Sequence, residues 1–320
     1  MAATDDDMIA PLGRGSLSLG MYRHDGLSPG DGISTLVAEA RAIEQAGFDG
    51  VTLSEHHLGF RSYFPNPLLT CALLLGRTER IWAGPMPMLL TLRAAALVAE
   101  DLAWIAASAP GRVAAGFAAG NRADEHALNG IHDNVAAVFG AGLGAIAEAL
   151  SADGQGPLDA DPAVAAAKGA IPLVSAARSR TAVERAARLG FGLLYSPVSS
   201  AEQVARFTAL YREAGGAGPR VLIRSVWVDP HGGPSADEQA ARARAVADMP
   251  GGDWISAGPA AAVTESLADL IQTMDATDVN LRIPMAGVSP ELILDQIARL
   301  GAGVVPGIAQ VLRAKAAQPA

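Results

Sequence analysis

One junction recurs along this chain and limits what it can fold into. An amphipathic helical stretch ends in a glycine and passes through a turn or aromatic residue into a short apolar run without alternation. Residues 33–46 (ISTLVAEARAIEQA) put Ile33, Leu36, Val37, Ala40 and Ile43 on one helical face, Gly47 suits a left-handed C-cap, and Phe48-Asp49-Gly50 turns into VTL at 51–53. The order returns as a helix at 179–189 followed by Gly190, Phe191 and GLLY, and again where a helix at 262–274 leads to VNLRI at 279–283. Strands apolar at consecutive positions are buried on both faces, the condition of a parallel sheet covered by its own crossover helices.

Counting such runs gives about eight strands, near 16–21, 51–54, 80–84, 112–117, 171–175, 191–195, 220–228 and 279–283. Helix-length segments lie between most of them (33–46, 67–77, 93–108, 133–150, 179–189, 200–215 and 289–300), and the longer run 234–275 is expected to hold two helices. The stretch 151–170, acidic and rich in Gly and Pro, reads as an exposed excursion before the fifth strand. Length alone, 320 residues, suggests two domains. Eight βα units without a dividing linker instead predict an α/β chain folded as a single (β/α)8 TIM barrel over 1–320, with loop insertions at its C-terminal mouth and flexible tails at 1–14 and 313–320.

Composition narrows the function. With 24 Lys+Arg against 33 Asp+Glu, the net charge is −9, which argues against nucleic acid or an anionic membrane as partner. The lone Cys71 excludes an intramolecular disulfide framework and any cysteine-cluster metal site. The first residues carry Asp5, Asp6 and Asp7 where a secretory signal needs cationic and apolar stretches, so a cytoplasmic location is expected.

In a barrel the chemistry sits where strands end at their C-terminal side. Glu55-His56-His57 follows the second strand directly. Alternation sends one histidine inward and its neighbour away, and an inward His56 could exchange a proton near neutral pH; the bland alternative is hydrogen bonding within a loop. A metal reading would need ligands at other strand ends. The remaining histidines are His24, His126, His132 and His231, and no later strand ends in His or Asp except near Asp229, which disfavours it. Two prolines in Gly84-Pro85-Met86-Pro87 stop the third strand. Ser175 to Thr181 runs into a helix whose free N–H groups, with Arg178 and Arg180, suit an anion; a plain Ser N-cap with solvated arginines is the alternative. Gly116 and Gly120-Asn121 would let backbone approach a flat ligand.

The segments AEARAIEQAGFDGVTLSEHHL (38–58), PNPLLTCALLLGRTERIWAG (65–84), AEDLAWIAASAPGRVAAGFAAGN (99–121), IPLVSAARSRTAVERAARLGFG (171–192) and VNLRIPMAGVSPELILDQIARLGAGVVPGI (279–308) together resemble the bacterial luciferase-like flavin monooxygenase superfamily. The resemblance implies a TIM barrel, usually dimeric through helices near 67–77 and 93–108, that binds a cofactor at its mouth. That cofactor is reduced FMN in monooxygenases, taken as a co-substrate and supplied by a separate flavin reductase, or coenzyme F420 in hydride-transferring oxidoreductases. It places His56 at the reactive edge of the ring, and phosphate near Arg178, Ser179 and Thr181. Glu55, Met86, Pro87, Ala118, Gly120, Asn121, Arg122 and Ala176 complete the expected cofactor site. Met86–Pro87 matches a bond that is often cis in the family. Ala118 and Ala119 stand where luciferase-type members carry a cysteine and a phosphate-binding arginine, so Ala118 leaves room beside the ring and Arg122 is the replacement cation. Met21, Tyr22, His57, Phe60 and Tyr63 form the expected substrate wall around a small organic molecule. The leading expectation is an FMN-dependent monooxygenase. The alternatives are an F420-dependent oxidoreductase and a non-catalytic flavin-binding or partner subunit, against which the intact Glu55-His56-His57 argues.

Overall fold

The computed structural model describes residues 11–13, 15–230, 233–235, 238–240, 255–285 and 288–317. Eight parallel strands form the ring that the apolar runs predict: β1 (Leu17–Met21), β2 (Gly50–Leu53), β3 (Trp82–Pro85), β5 (Ala115–Ala118), β6 (Leu173–Ala176), β7 (Gly192–Leu194), β8 (Arg220–Val228) and β10 (Asp278–Arg282). Two further pieces extend it. The two-residue β4 (Met88–Leu89) pairs with the top of β5, and β9 (Ile255–Gly258) pairs with the upper half of β8. The ring is nearly closed. Between β3 and β5 the seam is the single bridge Ala83–Val113, with the Ala83 N–H donating to the Arg112 carbonyl at 2.9 Å.

Helices cover the outside: α1 (Pro29–Gln45), α2 (Pro67–Leu75), α3 (Ala95–Ser108), α4 (Ala123–Ala127), α5 (Val135–Leu150), α6 (Pro162–Ala167), α7 (Arg180–Arg188), α8 (Ala201–Glu213), α9 (Ala260–Thr273), α10 (Pro290–Gly303) and α11 (Val305–Ala316). Helix α1 starts four residues before the apolar pattern does, because Ser28 accepts from the Asp31 N–H and Pro29 fits the first turn despite Gly30 and Gly32. The stretch 151–170 is not merely an exposed excursion. Asp161 accepts from the N–H groups of Ala163 and Val164, and the helix α6 that it caps buries Ala163, Val164 and Ala167. In the run 234–275, where two helices are expected, residues 238–240 are helical and a second helix follows at α9, with a strand before it that the sequence does not announce. Residues 241–254 lie outside the described residues. The four residues ISAG carry no strand signal of their own, and the free upper half of β8 makes them one. Helix α11 follows α10 and runs to Ala316. Among the described residues no single helix is long and apolar enough to cross a membrane.

The barrel interior is layered. Trp82 fills the lower part, with Leu12, Met86, Ala114, Val174, Leu194, Val221 and Ile223 around it. Its indole N–H donates to Ser16 Oγ at 2.9 Å. Gly50 is required there, since a Cβ would lie 2.2 Å from the Trp82 ring. Gly84 is required at the β3–β5 seam, where a Cβ would meet the Ala114 carbonyl oxygen at 2.0 Å. Above them Asn280 donates to Ser18 Oγ (3.0 Å) and Thr52 Oγ1 (2.8 Å), a closed polar band beneath the mouth.

At the opposite end, the buried Asp278 ties the entering chain to the barrel. Its carboxylate accepts from the N–H groups of Gly13 and Ser16 and from Thr277 Oγ1. Burial pushes this carboxyl up to about 6, against the opposing pull of those donors and Arg220. An acid with a raised folded pKa holds its proton more tightly when folded, so its contribution to stability grows as pH falls through about 6 and is lost above it. The stability of the wild type relative to Asp278→Asn, read by urea unfolding, is expected to rise by about 1 kcal/mol from pH 7 to pH 5. A difference that does not change with pH would contradict the assignment.

Candidate active site

The β2 corner is organised by two carboxylates with fully buried side chains. Glu55 accepts from the Leu89 N–H at 2.7 Å, from Arg93 Nη2 at 2.8 Å and from His57 Nε2 at 2.8 Å. The Glu55 N–H itself donates to the Pro87 carbonyl at 3.0 Å. Glu55 therefore fastens β2 to the chain around Pro87 and β4. Both of its oxygens are engaged by the protein, although the sequence placed it at the cofactor. The Met86–Pro87 bond is cis, as the sequence predicted.

Glu125, on the short helix α4, accepts from His56 Nδ1 at 2.9 and 3.1 Å and from the His57 N–H at 2.7 Å. A carboxylate only accepts, so Nδ1 of His56 carries the proton and Nε2 is left to exchange one. The two histidines diverge, His57 toward Glu55 and His56 toward Glu125. His56 is packed against Phe60 (ring centroids 4.4 Å apart, 30° between planes) and edge-on to Tyr63 (4.6 Å, 83°). Tyr22 packs edge-on to Tyr63 at 5.3 Å. Burial holds the Tyr22 phenol well above its ordinary range against the opposing pull of Arg282, so it stays a neutral hydroxyl. Met21 is buried in the outer core, below this group.

The expected cofactor residues fall into two sets. Met86 is buried in the barrel, and its carbonyl accepts from Ser54 Oγ at 2.8 Å and Arg282 Nη2 at 3.3 Å. Ala118 ends β5 and pairs with Leu89. Gly120 has φ +79°, and a Cβ there would meet His126 Nε2 at 2.9 Å, the same nitrogen that donates to the Ala119 carbonyl. Asn121 is exposed. Arg122 does not stand free as a replacement cation: it pairs with Asp124, lies 3.8 Å from Glu125 and covers the Phe60 ring at 4.9 Å.

The second set is the β6–α7 corner. Ala176 ends β6, Ser179 caps α7 by accepting from the Ala182 N–H, and Thr181 is exposed in the first turn. Arg180 pairs with Glu184, whereas Arg178 is exposed and makes no ion pair among the described residues. The other histidines serve elsewhere. His24 shares a 2.5 Å hydrogen bond with buried Glu39, His132 is exposed, and His231 lies outside the described residues.

Sequence reasoning missed Glu125 and Arg282. Glu125 lies past the strand end, in a helix of five residues, where Asp124-Glu125 after Arg122 was the available signal. Arg282 has the same strand parity as Asn280 and rises inside the barrel beneath Tyr22, over whose ring it lies at 5.9 Å. Gly20 leaves space for its stem.

Comparison with known proteins agrees with this architecture. Residues 15–303 match the family described as luciferase-like monooxygenase. Among solved structures, the monooxygenase RslO1 from Streptomyces bottropensis is 20% identical with a TM-score of 0.74, covering 91% of this chain and 99% of its own. The oxygenating constituent of 3,6-diketocamphane monooxygenase from Pseudomonas putida, in complex with FMN, is 16% identical with a TM-score of 0.72 over 92% and 99%. An F420-dependent secondary alcohol dehydrogenase in complex with an F420-acetone adduct is 14% identical with a TM-score of 0.71 over 92% and 99%. No curated protein matches the sequence significantly.

The role of Glu125 as acceptor has a measurable consequence. Glu125→Leu leaves the His57 N–H and His56 Nδ1 without an acceptor and is expected to lower unfolding stability by about 2 kcal/mol. Glu125→Gln keeps one acceptor and is expected to lose less than half of that. Equal losses in urea unfolding would show that packing, not hydrogen bonding, holds the corner.

Proposed function

The chain belongs to the luciferase-like monooxygenase family, and from that premise we propose that it is a flavin-dependent monooxygenase acting on a small organic substrate with reduced FMN and O2. The observation that carries this reading is the His56–Glu125 pair. A histidine with Nδ1 fixed by a buried carboxylate, half-buried and packed against Phe60 and Tyr63, is placed to exchange a proton at its other nitrogen.

The donor set at the β6–α7 corner fits the cofactor. The first N–H groups of a helix lack intrahelical acceptors, and beside those of α7 stands Arg178, exposed and with no anionic partner among the described residues. Arg178, Ser179 and Thr181 would hold the phosphate, while Ala118, Gly120 and Ala176 would border the ring without bulk. When bound, reduced FMN supplies the two electrons by which one oxygen atom of O2 enters the substrate and the other leaves as water. The chain's own residues do the rest: Tyr22, Phe60 and Tyr63 keep water out, and His56 takes or gives a proton at Nε2. The reduced flavin would come from a separate reductase. A second copy of the chain would dock on α2 and α3, where Leu69, Leu97 and Trp104 are exposed.

Titration with FMN, reduced FMN, riboflavin and F420 tests the cofactor. The wild type is expected to bind reduced FMN most tightly, and Arg178→Ala to weaken FMN while sparing riboflavin, which has no phosphate. Tighter binding of F420 than of reduced FMN would replace the monooxygenase reading with hydride transfer. His56→Ala is expected to hold cofactor affinity within a few-fold and to lower cofactor-dependent turnover by ~10²-fold. Wild-type rates in that variant would remove His56 from the chemistry.

A further inference from the structure

The buried carboxylate that orients His56 faces a second cation. Arg122 immediately precedes α4, and its Nε lies 3.8 Å from Glu125 Oε1. The same oxygen accepts from His56 Nδ1 at 2.9 Å and from the His57 N–H at 2.7 Å. At 3.8 Å the guanidinium attracts the carboxylate as a charge without donating to it. Its Nε is buried and has no hydrogen-bond partner among the described residues, while its Nη2 is held by Asp124. Arg122 and His56 also share the Phe60 ring. The imidazole packs on that ring with centroids 4.4 Å apart, and the guanidinium carbon lies 4.9 Å from its centroid. Arg122 and His56 are both half-buried, whereas the Glu125 side chain has no exposure. One buried negative charge therefore serves two groups that can be positive.

With a neutral imidazole, Glu125 and Arg122 balance each other. With an imidazolium, two cations compete for one carboxylate, and a like charge nearby disfavours the charged form. Asp124 offsets only part of this. Its hydrogen bond to Arg122 holds its carboxyl below the usual carboxylate range, so it stays ionised, but it stands on the surface where water screens it. The other ionisable groups around His56 have partners of their own. Glu55 is bound by Arg93 and His57, and His126 donates to the Ala119 carbonyl. Tyr63 meets the imidazole edge-on, and beyond it Tyr22 is a neutral hydroxyl whose ring Arg282 covers. We propose that Arg122 is a positioning residue for proton exchange at His56: facing the same carboxylate, it opposes the imidazolium and leaves Nε2 set to take a proton rather than to hold one. The proposal rests on the reading of His56 as the proton-exchanging group and gives that group a direction. Glu125 then has two tasks, fixing the tautomer by its hydrogen bond and coupling the imidazole to Arg122 by its charge.

Titration of the apoprotein tests the coupling apart from any cofactor. Spectra of ¹⁵N-histidine-labelled protein, followed across pH, give the midpoint of His56 protonation, with the signal assigned by its absence from His56→Ala. Arg122→Gln is expected to raise that midpoint by about one pH unit, because the imidazolium then has Glu125 to itself. Arg122→Lys keeps the charge and is expected to restore most of the wild-type value. Asp124→Asn is expected to move the midpoint the other way, downward, since a negative charge is lost while Arg122 remains. A merely structural Arg122 would give neither the rescue by lysine nor the opposite signs. An unchanged or lowered midpoint in Arg122→Gln overturns the proposal. So does an Arg122→Lys variant that titrates like Arg122→Gln, or an upward shift in Asp124→Asn. Should Arg122→Gln not fold, the surface variant Asp124→Asn decides: a downward shift supports the coupling, and no shift or an upward one overturns it. Wild-type turnover in His56→Ala would remove the catalytic reading and this proposal with it. A midpoint indifferent to Arg122 removes this proposal alone.

Discussion

Two carboxylates without solvent exposure stand at the end of one strand, and the mouth of this barrel is built around what they require. A buried carboxylate is tolerable only when donors surround it. Glu55 obtains them from the Leu89 backbone, Arg93 and His57, and Glu125 obtains them from His56 and the His57 backbone. Meeting those demands fixes much else. The β2 corner is pulled against β4, α4 is drawn over the strand end, and the two adjacent histidines are turned to opposite partners. His56 then has one nitrogen committed and one available, in a wall of aromatic rings. The chemical capacity of the site follows from satisfying buried charge.

The lower barrel beneath that arrangement is closely packed. Trp82 occupies the interior because Gly50 gives up its side chain, and the β3–β5 seam closes because Gly84 does the same. The Asn280 band with Ser18 and Thr52 separates this apolar base from the polar mouth. Asp278 anchors the entering chain from below. The packed anchor lies at one end of the strands and the candidate site at the other, the division expected of a barrel whose loops at the C-terminal face carry function.

Much of this was legible in the sequence, and the boundary is physical. The eight ring strands were readable because double-sided burial leaves unbroken apolar runs. His56 was readable as a candidate, because a histidine pair directly after such a run has few structural excuses. β9 was not, since four residues of mixed character become a strand only through a neighbour's unpaired edge. Helix α6 was hidden in an acidic, glycine-rich stretch whose Asp161-Pro162 start outweighed the composition. Glu125 escaped because it reaches His56 from across 69 positions, a contact made by the fold and not by any spacing. Arg122 read as a free cation because nothing in the sequence shows that Asp124 and Phe60 already engage it.

The account turns on which nitrogen of His56 carries the proton. Selective ¹⁵N labelling of histidine, with assignment by His56→Ala, reads this directly from the two ring-nitrogen shifts at alkaline pH, where the imidazole is neutral. The account predicts a single Nδ1–H tautomer in the wild type, collapsing to a mixture in Glu125→Leu. A dominant Nε2–H tautomer in the wild type, or one indifferent to the loss of Glu125, would contradict it.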